Sequence, residues 1–513
     1  MNRYIWCSVS LLACALISTA TAAAPIPIGS RLELMLDDYL IDTMTNVTLK
    51  LHRPVPREVV IVHDAPWEGS GSGYHSVFRD GDLYRMYYKA WHLDVSKGRL
   101  NSTAHPLYCC YAESDDGIHW RKPKLGLHEF RGSKANNIVM AGGKIGKINA
   151  DAGHPAVFKD DNPDCPPDAR YKAILRSKGP RGLLAMKSPD GLHWSPMSDK
   201  PVITDGAFDS QNLAFWDPVR SEYRAYWRIF TAGVTTEKVW KPGGRRAIRT
   251  ATSKDFINWG PHADLTYVDS PPEQLYTNQI KAYHRAPHIF IGFPTRYVER
   301  GWSESMRALP ELEHREMRAA AHLRYGTALT EGLLMSSRDG VRFKRWNEAF
   351  LRPGIQRAGT WHYGQQYIAW HAVETKSAIP GLPNELSIYA TESYWTGESS
   401  ELRRFTLRLD GFVSARAPLA GGEFVTKPLV FEGGKLVMNF STSAAGSVRV
   451  EIQDEAGKPV EGFTLDDCPE IYGDAIERAV TWKAGPDVSR LAGKPVRLRF
   501  VLKDADLYSI RFK

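Results

Sequence analysis

Four carboxyl residues stand just ahead of apolar, strand-like segments. Glu68 lies in Trp67-Glu68-Gly69-Ser70-Gly71-Ser72-Gly73-Tyr74-His75, and Asp151 in Asn149-Ala150-Asp151-Ala152-Gly153-His154-Pro155. Asp209 directly precedes Ser210-Gln211-Asn212, and Glu273 sits in Pro271-Pro272-Glu273-Gln274-Leu275-Tyr276-Thr277-Asn278. Carboxyls held on opposite sides of one bond can divide the work, one protonated to assist a leaving group and the other ionised to attack or to activate water. Low-dielectric walls and like charges drive their pKa values apart. The expected division has Glu273 as acid and Asp209 as orienting partner or base, with attack left open between Glu68 and Asp151. Tyr74, His75, His154, Gln211 and Asn278 at the same segment starts, with Trp361 and His362 at the last one, are the candidate substrate contacts. The two histidines at equivalent starts can bind hydroxyls, donate protons or help hold a cation, or they line a channel. An indole at Trp361 offers a flat apolar face or packs in the core. Glu331 reads as an ion-pair partner and Asp217 as a turn residue. No cofactor motif is legible, and the sequence leaves a metal ligand set undefined.

These starts recur because the chain repeats. Ser114-Asp115-Asp116-Gly117-Ile118-His119-Trp120 returns as Ser188-Pro189-Asp190-Gly191-Leu192-His193-Trp194. It returns loosely as Ser253-Lys254-Asp255-Phe256-Ile257-Asn258-Trp259, and again as Ser337-Arg338-Asp339-Gly340-Val341-Arg342-Phe343. Each copy reads as an Asp-Gly hairpin turn followed by an outer strand that buries an aromatic, which assigns these aspartates to turns. Five four-stranded units so aligned describe a five-bladed β-propeller, placed within residues 24–410. Leu32 to Val62 read as strands that complete the ring or brace the last blade, and Ser303 to His322 as a helix-like insertion in blade four. From Gly411 to Lys513, alternating stretches such as Val448-Arg449-Val450-Glu451-Ile452 read as a β-sandwich. The fold class is all-β, a five-bladed propeller followed by a C-terminal β-sandwich.

Composition sets the outer limits. Of 513 residues 43% are hydrophobic and 24% charged, which excludes a disordered or multi-spanning chain. Lys and Arg number 66 against 58 Asp and Glu, a net charge of +8, but the basic residues are scattered. That argues against nucleic acid and gives weight to anionic ligands. Arg3, the apolar run from Tyr4 to Ile17 and the small residues Ala20-Thr21-Ala22-Ala23 read as a secretory signal over residues 1–23, giving a secreted or periplasmic protein without a membrane span. Reading Cys14 as a lipidation site is the alternative. Cys109, Cys110, Cys165 and Cys468 have neither disulfide-framework nor zinc spacing.

An exported five-bladed propeller with these blade motifs and a following β-sandwich resembles the invertase and arabinanase-like glycoside hydrolases, and a bacterial glycosyl-hydrolase-like group. The resemblance implies a carbohydrate substrate and three carboxyls around the funnel where the innermost strands begin. It implies glycosidic cleavage, with a noncatalytic glycan-binding propeller as the alternative. The Trp-Met-Asn-Asp-Pro-Asn-Gly, Arg-Asp-Pro and Glu-Cys segments of the fructosidases are absent, so fructans fall outside the resemblance.

Overall fold

The computed structural model describes residues 24–96, 98–102 and 105–513; the segment read as an export signal, Cys14 included, lies outside the described residues. The chain is 49% strand and 5% helix and builds a five-blade propeller. Its innermost strands are Gly73–Asp80, Ile148–Lys159, Leu213–Asp217, Lys281–Tyr283 and Val373–Thr375, each in its own sheet; Gly143–Ile145 folds back on the start of the second, and the blade-four sheet ends in one parallel pair, Thr266–Val268 with Arg342–Arg345. Strands inside a blade are covered by neighbouring blades on both faces, so they read as continuous apolar runs rather than alternating ones. In Leu83–Ala90, Tyr87 packs in the core shared with blade two and Tyr88 in the core shared with blade five. The adjacent Cys109 and Cys110 divide between the same two cores, and all four cysteines of the described residues are free.

The repeated hairpins are turns stitched by their own side chains. The Asp116 carboxylate accepts from the Ile118 and His119 N–H groups at 2.8 Å, and Asp190, Asp255 and Asp339 make the same contacts in their copies. Gly117, Gly191 and Gly340 follow at positive φ, where glycine carries no Cβ penalty; Phe256 takes that position in blade three at φ 67°. The turn carbonyls also join blades, because Tyr87 donates to Gly191, Tyr226 to Gly340 and Tyr389 to Gly117. The copies therefore serve structure, as their spacing implies.

The strands expected to complete or brace the ring do different things. Val55–Val62 pairs antiparallel with Glu401–Arg408 and forms the outer strand of blade five, closing the ring with an N-terminal piece. Ile26–Gly29, Glu33–Leu34, Ile41–Thr45 and Thr48–Leu51 instead pair with strands between 413 and 512. They share one connected ten-stranded sheet with the long strands Leu436–Asp454 and Val496–Phe512 around a single apolar core, an arrangement compatible with the expected sandwich. Leu34, Leu36 and Phe412 join it to blades four and five through a core that includes Ile291, Phe293 and Leu407.

The insertion in blade four is helical, with helices Glu304–Arg307, Leu312–Ala321 and Leu323–Thr327 carried on a hairpin of Thr295–Glu299 and Ala328–Gly332. Two arginines of the middle helix are fully buried. Arg315 donates to the Trp361 carbonyl at 2.6 Å and Arg318 to the Trp395 carbonyl at 3.1 Å, pinning the insertion to the approach of blade five.

Candidate active site at the channel mouth

The innermost strands begin at one end of a central channel and finish at the other. Between the ends the channel is closed by amides. Gln211 Nε2 donates to the Tyr74 and Pro155 carbonyls, both at 2.9 Å, while its Oε1 accepts from Gln279 Nε2 at 2.6 Å. Gln211 is thus a fully engaged buried amide that ties blades one, two, three and four together. Asn278, 1% exposed, accepts from the Ile280 N–H at 3.2 Å and shapes its own strand start.

At the starting end, tyrosines make the wall. Tyr74 stacks on Tyr367 with ring centres 5.7 Å apart, and Tyr367 on Tyr276 at 5.5 Å. Tyr363 donates to the Tyr276 hydroxyl at 2.9 Å, and Tyr394 and Trp395 complete the cluster. Cations sit among these rings. Lys89 Nζ lies 4.5 Å from the Tyr74 ring centre, 5.0 Å from Trp91 and 5.2 Å from Tyr394, and donates to the Tyr394 hydroxyl at 3.0 Å. Arg228 and Arg246 lie 5.1 and 5.3 Å from the Tyr276 ring centre, within cation–π range.

Two of the four expected acids face this cluster. Asp151, fully buried, approaches His154 Nδ1 at 3.2 Å and Arg176 at 3.6 Å, and accepts from the Gly153 N–H at 2.9 Å. His154 packs on Tyr74 with ring centres 5.5 Å apart. Asp209, its side chain 45% exposed, pairs with Arg228. Burial pushes the Lys89 ammonium down to about 7, the Asp151 carboxylate opposing it. Burial also pushes His154 down to about 4, against the pull of Asp151. For Asp151, burial acts to raise the pKa, but His154, Arg176 and Lys178 outweigh it and hold the carboxyl below its usual range. Tyr276 is lowered in the same way, as Arg228, the Tyr363 hydrogen bond and Arg246 overcome burial.

The other expected site residues stand elsewhere. Glu68 is fully buried and accepts from the Tyr88 hydroxyl at 2.5 Å, Lys122 at 2.6 Å and the Ala65 N–H at 3.0 Å. Glu273 is engaged by arginines of its own blade. It is held by Arg296 at 3.0 Å and by Arg345 at 2.9 Å, the latter from the strand Arg342–Arg345 on the outer side of blade four, and Arg296 also pairs with Glu331. His75 Nε2 lies 3.0 Å from His63 Nε2, and burial holds its pKa well below the usual range. Trp361 and His362 precede the start of blade five, which the structure sets at Tyr367 to Trp370 through bridges from Ile368 to Ala390 and from Trp370 to Ser76. His362 is clamped between Glu311 at 2.8 Å and Arg318 at 2.9 Å, and burial lowers it to about 3. Trp361 Nε1 donates to the Gly354 carbonyl at 2.9 Å.

Sequence reading missed Lys89, Arg228, Tyr367 and Tyr394. The signal was a cation closing an aromatic pair, in Tyr87-Tyr88-Lys89 and again in Tyr226-Trp227-Arg228, within strands rich in buried aromatics. Such a cation is costly to bury without a purpose or a partner.

No family profile matches the chain, and no curated protein matches it. Among solved structures, it is similar to a glycoside hydrolase at 13% identity, over 69% of this chain and 92% of that one, with a TM-score of 0.41. It is similar to an N-acetylgalactosamine deacetylase from F. plautii in complex with blood group B trisaccharide at 13% identity, over 71% and 94%, with a TM-score of 0.41. It is also similar to an exo-β-1,3-galactanase from Phanerochaete chrysosporium at 9% identity, over 88% and 99%, with a TM-score of 0.35. Among the described residues no group of His, Cys, Asp and Glu is arranged to hold a metal ion, and no helix is long and apolar enough to cross a membrane.

Proposed function

We propose that this chain is an exported glycosidase that cleaves an acidic glycan at the tyrosine-lined mouth. The observation that carries the reading is the meeting of Asp151, Asp209, Lys89 and Arg228 around one set of aromatic rings. Hydrolysis needs an ionised group to activate water or attack and a protonated one to accompany the leaving oxygen. Asp209 is the accessible carboxylate and takes the first role. Lys89, its ammonium titrating near neutrality, takes the second. Arg228 and Arg246 receive the substrate's anionic group, and capture of that group by Arg228 releases Asp209 from its ion pair. Glu68 and Glu273 keep their structural partners. The net positive charge of the chain supports the anionic preference through long-range attraction, which salt screens.

The test is turnover of a panel of acidic and neutral polysaccharides by the purified protein, read as new reducing ends. Cleavage of acidic members, lost in Asp209→Asn, supports the reading. Binding without any new reducing ends would identify a glycan-binding propeller instead.

A further inference from the structure

The far end of the channel carries a cavity of about 420 Å³, in the lower part of the range of small-molecule sites. Phe78, Phe158 and Phe412 give it apolar walls, and its polar lining includes Gln279, Lys281 and His371, with Arg79 and Lys159 as further cations. The Lys281 ammonium sits 5.7 Å from the Phe158 ring centre and 5.4 Å from those of Phe215 and Trp370. It makes no hydrogen bond or ion pair among the described residues. Gln279 is 2% exposed; its Nε2 is committed to Gln211, but its Oε1 has no partner. Neither ring nitrogen of His371 makes a well-formed hydrogen bond, although the backbone of Val77 and Trp370 acts on the ring. Asp161 at the rim is exposed, and Glu374 is already engaged by His284 and Arg285.

A buried polar atom without a partner costs free energy, and the part-buried Lys281 ammonium, on which Asp161 and Asp160 act without forming an ion pair, has no direct anionic contact. The unmet needs here are complementary to one kind of molecule. Lys281 calls for an anion, Gln279 Oε1 calls for a hydroxyl donor, and the phenylalanine walls suit the apolar face of a ring. We infer that this cavity is a second binding site, for an acidic sugar whose carboxylate meets Lys281 and whose hydroxyls meet Gln279 and His371. The inference does not depend on cleavage at the mouth, because the Gln211–Gln279 amides separate the two ends.

The test is calorimetric titration of the full chain with D-glucuronate, D-galacturonate, trigalacturonate and, as neutral control, glucose. At least one acidic probe is expected to bind and glucose is not. Lys281→Met is expected to weaken binding about tenfold or more, and Lys281→Arg to restore part of it. Tighter binding of the monosaccharides would mark a free sugar acid as the ligand, and tighter binding of the trimer a chain end. Circular dichroism checks that each variant is folded, and Lys281→Gln replaces any that is not. Equal binding of glucose and uronates, undiminished binding by a folded variant lacking the charge, or no heat with any acidic probe would each overturn the site. Turnover at the mouth is unchanged in Lys281→Met, which keeps a failure here distinct from a failure of the glycosidase reading.

Discussion

Lys89 and Lys281 stand at opposite ends of one channel, each inside three aromatic rings, yet their surroundings differ in kind. The rings around Lys89 include phenols, so the ammonium finds the Tyr394 hydroxyl and the carboxylate of Asp151 acts on it. The rings around Lys281 are two phenylalanines and a tryptophan, which hold a cation by their faces but offer it no acceptor. Burial lowers both ammonium groups, to about 7 and about 8. The difference teaches that burial alone does not set a role. At the mouth the charges are paired within the protein, Asp151 with His154 and Asp209 with Arg228, and a substrate must redistribute them, while at the far end Lys281 has no direct partner.

The strongest way to break this contrast is at the mouth. Asp209→Asn and Lys89→Met are each expected to lower kcat by about 10²-fold or more on a substrate that wild type cleaves, whereas Lys281→Met leaves kcat unchanged. Equal losses at both ends would mean that they act as one site. Next in size is Gln211→Leu, which strands the Gln279 amide and removes the donor to two buried carbonyls; urea unfolding is expected to show a loss of about 3 kcal/mol.

The pH response sharpens the comparison further. If Lys89 must be protonated, kcat/KM falls as pH rises through about 7, and Lys89→Met removes that limb. The groups facing Lys89 are Tyr74, Trp91, Tyr394 and Asp151, and the tyrosines stay neutral there because burial raises their pKa values. Stability moves the other way. The folded pKa is depressed, so between about 7 and the ordinary lysine value the unfolded chain binds more protons, and the contribution of Lys89 to stability rises with pH across that window. Activity and stability changing in the same direction would remove Lys89 from the proposed role. The smallest expected effect belongs to Glu273→Gln. Loss of its two arginine contacts should cost about 1 kcal/mol at this part-exposed position and leave kcat within about threefold of wild type.

The propeller was legible because its turns must repeat. Ser-x-Asp encodes a local geometry in which the aspartate binds the next N–H groups, so four copies, three of them followed by glycine and one by Phe256, announce four blades wherever the rest of the sequence drifts. The mouth was legible only in part. Asp151 lies early in the strand Ile148–Lys159 and Asp209 just ahead of Leu213–Asp217, and there position in sequence carries position in the channel. Glu68 and Glu273 stand farther ahead of their strands, Gly73–Asp80 and Lys281–Tyr283, and pair with Lys122 and with Arg296 and Arg345. Those contacts depend on partners far away in sequence. The pairing of strands 26–51 with the C-terminal sheet was hidden for the same reason, since short alternating segments fit either a blade or a sandwich.

The outer strand of blade five has a consequence for how the molecule assembles. Val62 must find Glu401 across four intervening blades, a loop whose closure entropy is unrewarded until the last blade exists. Ring formation is therefore the late step of folding. The chain that emerges first waits for the chain that emerges last, with the apolar edge of Val55–Val62 unpaired in the interval. Once shut, the clasp holds every blade between two others, so the ring has no terminal blade with an uncovered face.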